Sequence, residues 1–171
     1  HPVDKRTPGE RLGECALRQI YGMSRVPVYG PTVLGFRCDE GGRVRLFFRY
    51  AHGLHFSGTT PDSFGDEFAK SLPSLVRLPE RSGFELAGAD GVFHPAYAAI
   101  FVDCDIDDLV NAKVNVVDYN ATEFGIPINS RSIGTITLAT PKVPQPVMMR
   151  YAWRSWGPAP LFNDNKLPAH P

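Results

Sequence analysis

The sharpest pattern of apolar and polar positions lies near the start of the chain. Leu12, Ala16 and Ile20 recur at steps of four, while Arg11, Glu14 and Arg18 fall on the other side. That is the period of an amphipathic helix. Thr7, Pro8 and Glu10 form a start signal: threonine suits the N-cap, proline the first helical position, and glutamate three residues after the cap completes a capping box. Gly22 closes the segment, because glycine takes the left-handed conformation that helix ends need. The spacing predicts a helix over Pro8–Tyr21, a rod of about 21 Å. A short helix with one apolar stripe is marginal alone, so it should pack against something larger.

Beyond Gly22 the period falls to two. In Arg43–Tyr50, Val44, Leu46, Phe48 and Tyr50 alternate with Arg43, Arg45 and Arg49, which predicts a half-buried strand with a solvated arginine face. Val33–Cys38 and the Gly41-Gly42 pair make this the second arm of a hairpin. His52–Arg81 reads as a long loop with a helical turn near Asp66–Leu72, a kind of segment often tied to function. Phe84–Leu86 and Val92–Val102 read as strands joined by a tight turn at Ala89-Asp90-Gly91. Val114–Val117 and Ile133–Ala139 are further strands. Val147, Met149, Tyr151 and Trp153 share one face of a last strand, with Arg150 opposite, and the aromatic pair Tyr151 and Trp153 is expected in the core. The tail from Gly157 to Pro171, rich in Pro and Asn, is expected to run extended over the surface. One helix followed by roughly seven short strands fits an antiparallel sandwich, in which the helix is the outlier. It looks like the last piece of a unit that precedes His1.

Composition narrows the function. Lys plus Arg and Asp plus Glu both number 18, so no charge excess points to a nucleic-acid partner. Sixteen Gly and sixteen Pro favour short strands and frequent turns. No apolar run approaches the length of a membrane span. Three cysteines, Cys15, Cys38 and Cys104, match neither a zinc nor a CxxC spacing. Cys15 is expected as a small buried side chain in the helix; Cys38 and Cys104 could pair with each other or with another chain. His52 and His55, at i and i+3, lack nearby ligand partners and read as loop residues. Asp103–Asp108 alternates like a calcium loop. It has Asp108 where glycine belongs and Val114 where the bidentate glutamate belongs, so an acidic loop is the expectation. Asn120-Ala121-Thr122 is a glycosylation sequon, meaningful in a secretory pathway. Tyr97, Tyr151, Trp153 and Trp156 could stack on a sugar, which makes a non-catalytic carbohydrate-binding or structural β-sandwich the alternative to an enzyme.

Three separated segments carry a family resemblance. His1-Pro2, Asp4-Lys5, Gly9, Arg11-Leu12, Ala16-Leu17 and Tyr21-Gly22 resemble the His-Pro-x-x-Lys segment of sialate O-acetylesterases and the helix after it. Gly83–Gly91 with Phe93, Pro95 and Ala96 is similar to that family's C-terminal segment. So are Pro146-Val147, Arg150–Trp153, and the ending Leu161-Phe162-Asn163 with Leu167-Pro168-Ala169. The three occur in the family's order and cover about half of the chain; Asp103–Thr135 is longer than the family's connection there.

The resemblance implies a mixed α/β fragment of an SGNH-type serine esterase. Residues 1–26 would be the C-terminal segment of the flavodoxin-like esterase domain, and 27–171 a β-sandwich accessory domain. Such hydrolases are carboxylesterases that remove O-acetyl groups from sugars, here 9-O-acetylated sialic acid first among them. They use no cofactor or metal. The family's catalytic histidine maps onto His1. An imidazole suits the task because it takes the serine proton during attack on the acetyl carbonyl and returns it to the departing sugar oxygen. The Gly-Asp-Ser nucleophile segment and the acidic partner are absent from this sequence, so an N-terminal chain or segment carrying them is the expected partner. The family's habit, with Asn120 as a glycosylation site, points to a secreted, lysosomal or periplasmic glycoprotein.

Overall fold

At Gly41 and Gly42 the backbone takes φ angles of 73° and 72°, a region open to glycine at little cost. There the chain folds β1 (Thr32–Asp39) back on β2 (Arg43–Arg49) as the expected antiparallel hairpin. The computed structural model describes residues 4–57, 76–101, 115–116, 133–155 and 157–170. His1, Cys104, the Asp103–Asp108 loop, Asn120, Trp156 and the turn expected near Asp66–Leu72 lie outside them.

The described chain is mostly antiparallel sheet with few helices. The helices are α1 (Arg6–Gln19) and the single turn α2 (Pro79–Ser82). The remaining strands are β3 (His55–Phe56), β4 (Val76–Arg77), β5 (Phe84–Ala87), β6 (Phe93–Pro95), β7 (Tyr97–Phe101), β8 (Asn115–Val116), β9 (Gly134–Ala139), β10 (Met148–Tyr151) and β11 (Leu161–Phe162). They form a six-stranded sheet ordered β4-β7-β9-β2-β1-β8, a three-stranded sheet β10-β5-β6 and the pair β11-β3.

One core joins the two larger sheets. Val44, Leu46 and Phe48 of β2 lie beside Ile136 and Leu138 of β9 and Ala98 and Ile100 of β7, and Phe84, Leu86 and Tyr151 of the smaller sheet close over them. Burying each large apolar side chain contributes about 1.5–3 kcal/mol. Phe84 and Tyr151 are cross-strand partners within the smaller sheet, their ring centroids 4.5 Å apart. Val92–Val102, expected as one strand, is split between the sheets at Ala96. Ser82 causes the break: its buried hydroxyl donates to the Ala96 carbonyl at 2.6 Å and accepts from the Phe84 amide at 3.1 Å. The Ala96 amide meanwhile donates to the Phe84 carbonyl at 2.9 Å.

Three expectations are corrected. First, the arginine face of β2 is not a solvated one. Arg43, Arg45 and Arg49 are half-buried, and Phe47 between them is buried with Thr135 and Thr137 of β9. Asp39 answers two of the cations there, meeting Arg37 at 2.6 Å and Arg45 at 3.1 Å. Period two says which residues share a face, but not what covers it. Second, Tyr151 is in the core as expected, whereas Trp153 is 72% exposed. Ala152 adopts φ 49° and its amide bonds the Gly83 carbonyl at 2.9 Å. Strand alternation therefore stops one residue before the tryptophan. Third, the tail is structural. Leu161, Asn163, Leu167 and Ala169 are buried, and β11 pairs with β3.

Candidate functional site

The helix next to the predicted catalytic His1 is the part of that site the structure describes. It forms two residues earlier than the sequence signal suggests, and its cap differs. Lys5 occupies the N-cap without a side-chain bond. Asp4 does the capping instead, its Oδ1 accepting from the amides of Arg6 and Thr7, both at 3.0 Å. Hydrogen bonds from the Thr7 side chain and amide hold the Asp4 carboxyl below its usual range. At the far end Gly22 takes φ 70° as expected, and the Met23 amide reaches back to the Leu17 carbonyl at 3.0 Å.

The orientation of α1 is the reverse of the usual one for a surface helix. Its arginine side, opposite the apolar stripe, turns to the β-rich body. Arg11 donates to the Lys166 carbonyl at 3.2 Å. Arg18 donates to the carbonyls of Ser24 and of Val26, the latter at 2.8 Å, and its guanidinium lies 5.4 Å from the Tyr29 ring centre. The apolar stripe points outward: Leu12 is 74% and Ile20 76% exposed, and Leu17, Tyr21 and Met23 are exposed with them. No residue of α1 is buried, so Cys15 is half-buried rather than a core residue. Gly9 and Gly13 lie on the outward side as well, where an added Cβ would meet nothing within 4 Å. Glycine inside a helix costs about 0.5–1 kcal/mol against alanine, and no described neighbour requires that smallness here.

Two pockets flank Trp153. The larger, about 670 Å³, opens between β1–β2 and β10, and its walls are mainly apolar, among them Val33, Phe36, Val44, Met149 and Trp153. The smaller, about 140 Å³, has Glu80, Glu85, Arg154, Gly157 and Pro158 around the same tryptophan. Glu85 is buried and carries two arginines: Arg150 Nε at 2.6 Å from Oε2, and an Arg154 terminal nitrogen at 2.7 Å from Oε1. Burial pushes the Glu85 carboxyl up, but the hydrogen bonds from Arg150 and Arg154 outweigh it and hold its pKa below the ordinary value. Arg150 also lies over the Phe93 ring, 3.9 Å from its centre. Sequence reasoning missed this cluster. Alternation places Arg150 opposite the apolar side of β10, but only the pairing of β10 with β5 brings Glu85 beside it.

The other sequence candidates stay apart. His52 pairs with Asp164 at 3.1 Å, and His55 Nδ1 lies 2.8 Å from the Gly53 carbonyl oxygen, both at the surface. Among the described residues no three His, Cys, Asp or Glu side chains are placed to hold a metal ion. Of the four aromatics considered for sugar stacking, Tyr97 and Tyr151 are buried and Trp153 is exposed. Among the described residues no helix is long and apolar enough to cross a membrane. No family model, curated protein or solved structure matches the chain. What fold and site define together is a mostly antiparallel β protein bearing an amphipathic helix turned apolar side out.

Proposed function

We propose that this chain is the C-terminal part of a sialate O-acetylesterase-like serine esterase of the SGNH type, contributing the catalytic histidine. The observation that carries the reading is the bare apolar stripe of α1, supported by the family-like residues along the chain. A capped helix that turns arginines to the β-rich body and Leu12, Ile20 and Tyr21 outward suits a helix whose main packing partner is the esterase domain it would complete. In this reading residues 1–26 complete the edge of a flavodoxin-like esterase domain, and 27–171 form its β-sandwich companion. Gly9 and Gly13 then let a neighbouring backbone approach α1 closely.

The chemistry divides between two pieces. A serine on the upstream part attacks the acetyl carbonyl of an O-acetylated sugar, and His1 accepts its proton as the C–O bond forms. Collapse of the tetrahedral intermediate breaks the bond to the sugar oxygen, which takes that proton from His1 and leaves as the free hydroxyl. Water then attacks the acetyl-serine, with His1 again accepting and returning a proton, and acetate departs. An upstream carboxylate orients the ring, and upstream donors hold the oxyanion. The first substrate to try is 9-O-acetylated sialic acid, and the reading places the enzyme in a secreted, lysosomal or periplasmic setting with Asn120 as a glycan acceptor.

Joining this chain to the upstream part tests the reading. Hydrolysis of p-nitrophenyl acetate is expected only with both pieces present, and loss of about 10³-fold or more on His1→Ala, as for removal of a triad member. Turnover unaffected by that substitution would refute the assignment.

A further inference from the structure

We propose that Trp153 and the small pocket beside it form a binding site for one pyranose ring of a neutral glycan, on the β-rich body and independent of the esterase reading. The indole is the only tryptophan among the described residues, and it is presented rather than packed: 72% exposed at the end of β10, where the left-handed Ala152 stops the strand. A non-glycine residue held at positive φ stores strain that the surrounding structure must hold, and such residues cluster at functional sites. Trp153 lines a small pocket whose other side chains include Glu80, Glu85 and Arg154.

Size and chemistry then select the ligand. A space of about 140 Å³ is well below the roughly 300–1,000 Å³ of drug-sized sites, a scale that suits one small ring. A pyranose with equatorial hydroxyls has an apolar C–H face that stacks on an indole and a rim of hydroxyls that both donate and accept. The rim meets a matched set. Glu80 supplies an acceptor at the pocket wall. Arg154 supplies a donor that cannot swing freely, because buried Glu85 grips one of its terminal nitrogens at 2.7 Å while the side chain stays 65% exposed. Arg150 holds the other Glu85 oxygen at 2.6 Å, so the carboxylate is satisfied and acts as the anchor of Arg154. A donor held in place loses little side-chain freedom on binding. With Glu80 and Glu85 in the lining against Arg154, the pocket carries no surplus positive charge, which favours a neutral sugar over an acidic one.

Calorimetric titration of this 171-residue chain with xylohexaose and with chitohexaose, both β-linked with equatorial hydroxyls, tests the site. Saturable binding with Kd of about 1 mM or tighter is expected for at least one. Trp153→Ala should weaken it about tenfold or more, and Trp153→Phe, which keeps a stacking face, by less. Arg154→Ala should weaken it severalfold. Both side chains are exposed, and unchanged circular dichroism checks that the variants fold. Absence of saturation with either hexasaccharide would overturn the proposal. So would a Trp153→Ala protein that binds as the parent does, and an unaffected Arg154→Ala protein would overturn the placement of the ring in this pocket. The titration reads binding alone, so its failure leaves the hydrolysis test of the esterase reading untouched.

Discussion

Replacing Asn163 with alanine should unfold this chain far more easily than a polar tail residue would suggest. Asn163 is 1% exposed, and every hydrogen-bonding direction of its amide meets backbone. Its Nδ2 donates to the Tyr29 carbonyl at 3.1 Å and the Tyr50 carbonyl at 3.0 Å. Its Oδ1 accepts from the amides of Asn165 and Leu167, both at 3.1 Å. One side chain thus ties the tail to the end of β2, where Tyr50 holds φ 55°, and to Tyr29, whose ring stacks on Tyr50 at 4.9 Å. Each net hydrogen bond contributes about 0.5–1.5 kcal/mol, and groups left buried without a partner cost more than the bond itself was worth. Water can reach the partly buried carbonyls and recover some of this, so a loss of about 3 kcal/mol is expected for Asn163→Ala. With a urea m-value of about 2 kcal/mol/M, the midpoint should fall by about 1.5 M at constant m. Asn163→Asp should lose both donors and place a carboxylate against two carbonyl oxygens, so its deficit should be larger at pH 7 and shrink in acid as the carboxyl regains a proton to donate. A loss below about 1 kcal/mol in Asn163→Ala would refute the view that this residue pins the tail.

Other parts of the molecule give three more expected outcomes. Gly41 and Gly42 share the same left-handed conformation, but an added Cβ is unobstructed at Gly41 and would collide with the Pro144 carbonyl oxygen at Gly42. Gly41→Ala should therefore cost about 1 kcal/mol and Gly42→Ala clearly more, and equal urea midpoints would contradict the contact. Glu85 has its folded pKa held below the ordinary 4.5. The stability it contributes is full above that value and is lost as pH falls through the depressed one; midpoints measured from pH 7 to pH 2 should show this loss, and Glu85→Gln should flatten it. Leu12→Ser with Ile20→Ser should leave the stability of this chain within about 0.5 kcal/mol, since both sites are already bare, yet weaken its association with the upstream esterase part at least tenfold in a pull-down titration. Unchanged association would remove the support that α1 gives to that reading.

How much of the fold and site is legible in the sequence depends on whether the deciding interaction is local. The β1–β2 hairpin and β9 can be read because alternation and a Gly-Gly turn act over a few residues. Alternation runs through Trp153 and so puts it in the core, but the residue that interrupts the pattern, Ala152, bonds to Gly83 nearly seventy positions away, a link that pairing alone reveals. The tail reads as surface because Asn163 looks polar, and its burial rests on backbone groups from Tyr29 and Tyr50 that no window contains. Glu85 and Arg150 become a pair only through the register of β5 and β10. The helix is the instructive case. Its period fixes which residues share a face, and the structure agrees. That it needs a larger packing partner can be read as well, but not which side meets this body, where the contacts go to Arg11 and Arg18. An apolar stripe records a packing partner without naming it, and the rest of this chain does not supply one among its described residues. For the same reason the assignment of His1 comes from resemblance alone. A histidine acts through a serine and a carboxylate that must be brought to it in space, and no pattern of period or spacing in this chain records either of them.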